Sequence, residues 1–210
     1  MRRIVISINP KWVKLILEGK KKDEVRKTFP KCELPCEVYI YVTKGKDILT
    51  AYEYYDYDSM GYYGPEYELI TKNRFVKKPN KDDEDYSLYE SERDAYNYYK
   101  NDFDKMQHDH EWKLNGKVVA KFILNKVQEL RPFFHWCEEA KKRTCLERDE
   151  VLDYLDSKDK SVGNPKRQGS VYAWRIDNLV IFDEPKELKE LKFQNGQPVG
   201  YTPQSWIYLD

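Results

Sequence analysis

Gly19-Lys20-Lys21-Lys22-Asp23-Glu24-Val25-Arg26-Lys27 decides the reading of this chain. Upstream of it, Arg3-Ile4-Val5-Ile6-Ser7-Ile8 is rich in β-branched residues and predicts a strand. Asn9 then stands as an N-cap and Pro10 takes the first helical position. Trp12, Val13, Ile16 and Leu17 form an apolar stripe at helical spacing, and Gly19 ends the helix as a C′ residue. Lys22 to Thr28 alternates around Val25, as a strand along a solvent-lined cleft does. On such a strand Glu24 and Arg26 share one face. A lysine beside a carboxylate can position an anion, hold a carbonyl oxygen, or move a proton once burial lowers its pKa. The same residues also suit a solvated edge strand that discourages sheet-to-sheet aggregation.

Further strands are predicted at Glu37–Thr43, Gly116–Leu124, Ser205–Leu209, and within Val171–Phe182 around a turn near Asp177-Asn178. Helices are expected at Pro132–Lys142, after a Thr144/Glu147 capping box that precedes Leu146, Val151, Leu152 and Leu155, and at Pro185–Leu191. Strands scattered between helices without regular alternation indicate an α+β class. Five or six strands of this length can close into a small barrel.

The 210 residues suit one domain, 1–210, and 37 Lys/Arg balance 37 Asp/Glu. That balance argues against binding to nucleic acid or membrane by bulk charge, though not against a local basic site. The neutral total hides an uneven chain. The first 46 residues hold 12 Lys/Arg against 5 Asp/Glu, and residues 81–110 hold 4 against 10. The mean hydropathy of −0.89 is low for a folded protein, and the 18 tyrosines and 5 tryptophans supply the missing core area. Many of those tyrosines fall in residues 50–113, from Tyr52 to Tyr67 and again at Tyr96, Tyr98 and Tyr99. This segment is expected to be an irregular insertion between core strands, its tyrosines packed on the core. The alternative is a lid or a partner surface. No apolar run approaches a membrane span and the start is too short for a signal peptide, so a cytoplasmic protein with reduced thiols is expected.

With the helix, then Gly19, Lys21, Glu24 and Arg26 in a G-x-K-x-x-E-x-R pattern, then a β-rich remainder, the chain resembles the ASCH domain family, whose small barrel is similar to the PUA fold. Ile6-Ser7-Ile8-Asn9-Pro10-Lys11-Trp12 looks like the family's opening strand and helix. Tyr39-Ile40-Tyr41-Val42-Thr43-Lys44 and Asn115 to Ala120 resemble its next strands. Tyr172 to Ile176 and Pro203-Gln204-Ser205-Trp206 look like those of the phage and prophage branch. The resemblance covers 1–46 and 114–130 best and leaves 50–113 unexplained. It implies a cleft for RNA, a nucleotide or a modified base, with Lys21, Glu24 and Arg26 as its chemical core. One ASCH branch hydrolyses N4-acetylcytidine with a lysine, a threonine and a carboxylate. Lys21 matches that lysine, but Glu24 stands where the threonine would be. Another relative cleaves single-stranded RNA.

The substrate-binding candidates are thus Ser7, Lys21, Glu24, Arg26, Lys44, Trp174, Ser205 and Trp206, with Lys21, Glu24 and Arg26 catalytic if the protein is an enzyme. The hydroxyls of Ser7 and Ser205 are expected near the cleft. Trp174 and Trp206 are either stacking walls or core residues. In an infected bacterial host, the acidic, Tyr-rich 50–113 is a candidate surface for a host protein, imitating nucleic-acid charge. No cofactor or metal is expected. His108-x-His110 and the Cys32-x3-Cys36 pair are weak metal motifs, and His135 between Phe134 and Trp136 reads as packed or capping. P-loop, G-x-S-x-G and dinucleotide fingerprints are absent, which argues against NTP hydrolysis and serine hydrolase chemistry.

Overall fold

The computed structural model describes residues 1–56, 58–70, 113–156 and 169–210, with the side chains of 53–56 and 62 left aside. Ten strands and three helices fall among them. β1 (Arg2–Ile8) leads into α1 (Pro10–Leu17), β2 (Asp23–Arg26), β3 (Cys36–Val42), β4 (Ile48–Asp56) and β5 (Gly61–Ile70). β6 (Lys117–Leu124) and β7 (Val127–Leu130) precede α2 (Glu138–Thr144) and α3 (Arg148–Leu155). β8 (Val171–Arg175), β9 (Asp177–Glu187), a 3-10 turn at Leu188–Glu190 and β10 (Trp206–Tyr208) complete the order.

The main sheet runs β10-β1-β3-β6-β9, and only β1 and β3 are parallel within it. Ile4, Val5 and Ile6 are all fully buried because β1 is covered on both faces. This is why its sequence is continuously apolar rather than alternating. One face packs Ile4, Ile6, Val38, Ile40, Phe122 and Leu124 under Val13 and Ile16 of α1. The other packs Val5, Tyr41 and Val118 under Leu191, Val199 and Leu209 of the C-terminal stretch. A second sheet, β2-β8-β7, joins α3 through Val25, Val151, Leu155 and Val171.

The mixed architecture agrees with the α+β expectation, but among the described residues no ladder closes the expected barrel. β6 and β9 pair in the main sheet and continue as β7 and β8 in the second, so one two-stranded ribbon serves both. It bends at Asn125-Lys126 and Ile176, next to Asn178 at φ 48°. The seam falls between β2 and β1. β2 is four residues long and is soon followed by Pro30, which has no N–H to donate. Side chains span the seam instead. Arg26 Nη2 donates to the Ser7 carbonyl at 2.6 Å, and Trp206 Nε1 donates to Thr28 Oγ1 at 3.3 Å.

Several local expectations are corrected. The capping box falls at Glu147 and Glu150, where the Glu150 carboxylate accepts from the Glu147 amide at 2.9 Å. Thr144 closes α2 instead, its hydroxyl donating to the Ala140 carbonyl at 2.7 Å. The helix expected from Pro132 begins only at Glu138, where the Cys137 sulfur caps the Ala140 amide. Pro185-Lys186-Glu187 extends β9, because Lys186 and Glu187 pair with Val118 and Lys117 of β6. Only one 3-10 turn remains of the helix expected there.

The start of the supposed insertion is regular. β4 and β5 form an antiparallel hairpin that begins at Ile48, with Leu49 fully buried in the main core. Tyr67 packs against that core, as expected for a tyrosine of this segment. Tyr96, Tyr98, Tyr99, the acidic run at 82–94, and His108 and His110 lie outside the described residues. Among the described residues no helix is long and apolar enough to cross a membrane.

Candidate functional site

Asn9 accepts from the Lys11 amide at 3.0 Å and so starts α1 at Pro10. At the other end Gly19 takes φ +67°, which a side chain would strain. The turn it permits folds the next residues back, and the amides of Lys20 and Lys21 both donate to the Leu15 carbonyl. The Lys22 amide then donates to the Arg143 carbonyl at 2.8 Å, docking the loop on α2 before β2 begins. Opposite β2, Arg175 and Trp174 of β8 face Asp23 and Glu24 in the ladder.

This path buries Lys21, whose side chain is only 1% exposed. Its Nζ donates to the Thr144 carbonyl at 2.5 Å, at the C-terminus of α2, where the helix dipole favours a cation. The same Nζ lies 3.7 Å from Glu24 Oε2 and 5.1 Å from the centre of the Trp12 ring. Glu24 Oε1 lies 3.1 Å from Arg26 Nη2, so one buried carboxylate is held between two cations. Asp23 is gripped separately. Arg143 donates to both of its oxygens at 2.7 and 2.8 Å, and Arg175 stands 3.9 Å away. Burial pushes the Lys21 ammonium below its ordinary pKa of 10.5; Glu24 opposes this and Arg26 adds to it. Burial also raises the Tyr154 hydroxyl, which lies beside Arg26 and Glu24.

Lys21, Glu24, Arg26, Trp12 and Tyr154 line a cleft of about 460 Å³, whereas Asp23, Arg143 and Arg175 lie off its lining. Of the sequence candidates, Ser7, Lys21, Glu24 and Arg26 are brought together there. Ser7 takes part through its carbonyl, because its hydroxyl already donates to the Pro203 carbonyl at 2.7 Å. Ser205 is not on the lining. Its carbonyl accepts from the Ser7 amide at 2.9 Å, which aligns the chain end with β1. Trp174 is fully buried in the main core and donates its Nε1 to the Thr28 carbonyl at 3.2 Å, so its ring is not a stacking wall. Trp206 packs edge-on against Trp174 and Tyr208 and also lies off the lining. Lys44 lines a separate concavity with Lys113, Asn115, Lys117 and Glu187.

Trp12, Leu146, Glu150, Asp153 and Tyr154 also line the cleft, beside Ile8, Asn9 and Val25, and the sequence reading missed all of these as site residues. Trp12 looks like part of α1's core stripe, Leu146 lies just before α3, and Glu150, Asp153 and Tyr154 belong to α3 itself, far along the chain. The spacing of Glu150, Asp153 and Tyr154 on one amphipathic helix was the only available signal. Among the described residues, no group of three or more His, Cys, Asp or Glu is placed to hold a metal ion.

No protein-family model matches the chain, and no curated protein matches it. Solved structures do. The crystal structure of an ASCH protein from Zymomonas mobilis carrying a tyrosine-to-phenylalanine substitution aligns with a TM-score of 0.51 and 14% identity. It covers 100% of this chain and 91% of its own. A serine-to-alanine variant of the same protein aligns at 0.50 and 16%, covering 99% and 88%. At such identities the likeness is one of fold, and the fold is that of an ASCH structure.

Proposed function

We propose that this chain is an ASCH-like protein of the phage-type branch whose cleft receives a nucleobase, presented by RNA or as a modified nucleoside. One observation carries this reading: Glu24 sits between Lys21 and Arg26 in a cleft with room for a base, which Trp12 and Tyr154 also line. A carboxylate held in this way presents its oxygens to the cleft and can accept from a base amine. Arg26 Nε is buried with no hydrogen-bond acceptor among the described residues, and offers a donor to a carbonyl edge. Lys21 and Arg26 face Glu24, Glu150 and Asp153 across the lining, so the cleft has no cationic surplus for phosphates. Affinity therefore comes from the base and depends only weakly on salt. Titration of an RNA oligonucleotide carrying one N4-acetylcytidine tests this. Glu24→Gln, with its fold confirmed by circular dichroism, weakens binding at least about tenfold, the value of one lost charged hydrogen bond. Wild-type affinity in that variant overturns the proposal.

A second reading, a hydrolase of the modified base, is favoured by the lowered pKa of Lys21 at 3.7 Å from Glu24. A lysine that exchanges a proton nearer neutrality can serve as acid or base at an amide. Mass spectrometry of the same oligonucleotide separates the outcomes. Loss of the acetyl group by wild type but not by Lys21→Ala supports an amidohydrolase, and shortened fragments support a ribonuclease. Intact RNA leaves the binding reading alone.

A further inference from the structure

The Cys32-x3-Cys36 pair lies away from the cleft and has a setting of its own. Cys36 opens β3 fully buried, opposite Arg2 and Leu124 in its two ladders. Cys32 is half-buried on the segment between β2 and β3, and lines a second concavity with Met1, Arg2, Lys31 and Tyr208. Both thiols are free, and their sulfur atoms lie 2.9 Å apart. Reaching the ~2.05 Å of a disulfide needs roughly 0.9 Å of approach. The Tyr208 hydroxyl lies against Cys32.

We propose that Cys32 and Cys36 form a reversible redox site that takes oxidising equivalents from a hydroperoxide, Cys32 reacting first and Cys36 resolving. The division of labour follows from access. Cys32 is half-buried and is reached through the concavity, which Arg2, Lys31 and Glu33 line beside it. Cys36 has no exposed surface, and burial beside Cys32 pushes its thiol up to about 12, so it does not compete for the oxidant. In the first step the Cys32 sulfur attacks the O–O bond of hydrogen peroxide. A sulfenic acid forms and one water leaves. In the second, the Cys36 sulfur attacks the Cys32 sulfur. The S–O bond breaks, the Cys36 proton goes to the departing hydroxide, and a second water leaves. Two thiols have then lost two protons and two electrons, and the peroxide has become two waters. A dithiol reductant reverses the change. The product staples the start of β3 to the segment that arrives from β2.

Both cysteines fall on one tryptic peptide, 32–44, which has no internal lysine or arginine. Exposed Cys137 and half-buried Cys145 serve as internal comparators. The full chain is treated with about one equivalent of hydrogen peroxide, alkylated, digested and weighed. The expected result is an unalkylated 32–44 peptide about 2 Da lighter than its reduced form, recovering two alkylations after dithiothreitol. Cys36→Ser is expected to leave a dimedone-reactive sulfenic acid on Cys32, and Cys32→Ser to leave Cys36 unreacted. The proposal is overturned if 32–44 stays doubly alkylated while Cys137 oxidises. A thiophilic metal ion retained by the pair in native mass spectrometry, and lost in Cys32→Ser, also overturns it.

Discussion

Lys21 and Lys44 carry the same ammonium on the same flexible stem, in two concavities of similar size. Lys21 is buried, bonded to a helix-terminal carbonyl and faced by a carboxylate. Lys44 is exposed, in a concavity shared with two other lysines. Solvent screens the second and not the first. Charge alone would favour the Lys44 concavity as a binding site. Burial and a fixed counter-charge favour the Lys21 cleft for chemistry, because a desolvated amine is the one whose proton affinity a protein can tune.

The sharpest break of this contrast is Glu24→Ala. It leaves Lys21 buried without its carboxylate and should cost about 3–5 kcal/mol in urea unfolding at neutral pH. Lys44→Ala should stay within about 0.5 kcal/mol, as an exposed lysine does. Equal losses would erase the distinction. Next comes Arg143→Ala, which strips the two-pronged clamp from Asp23 and should cost about 2–3 kcal/mol. Arg143→Lys should recover only part, because an ammonium cannot match both oxygens. Trp174→Phe should cost about 2 kcal/mol through a cavity and a lost hydrogen bond, and Trp206→Phe less than half of that.

The smallest effect is the pH dependence. The Lys21 pKa is lowered in the folded chain, so between that value and 10.5 the unfolded chain binds more protons. The Lys21 contribution to stability therefore rises with pH across this window, and its penalty is fully present below it. Lys21→Met should flatten the rise in unfolding free energy measured over alkaline pH, while Lys44→Met leaves the slope as it was.

The elements that could be read in the sequence were those with local punctuation. Asn9, Pro10 and Gly19 bracket α1 by cap chemistry, and alternation around Val25 marks β2. Alternation put Glu24 and Arg26 on one face, and the resemblance to the ASCH family joined Lys21 to them. The rest of the cleft is non-local: the Thr144 carbonyl that receives Lys21 is 123 residues away. Trp174 sits at the join of both sheets, which no property of Tyr172 to Ile176 announces. Lys44 follows a correctly predicted strand, yet the chain leaves β3 at the far concavity. Pro185 to Leu191 satisfies a helical pattern as well as an extended one, and pairing with β6 decides between them.

The most direct test compares the two concavities with one ligand. The affinity of an RNA oligonucleotide carrying a single N4-acetylcytidine is measured for wild type, Glu24→Gln and Lys44→Ala at two salt concentrations. If the cleft is the binding site, Glu24→Gln loses at least about tenfold while Lys44→Ala binds as wild type, with little dependence on salt. Loss of binding in Lys44→Ala with Glu24→Gln unaffected would place recognition in the lysine concavity and contradict the assignment of the site.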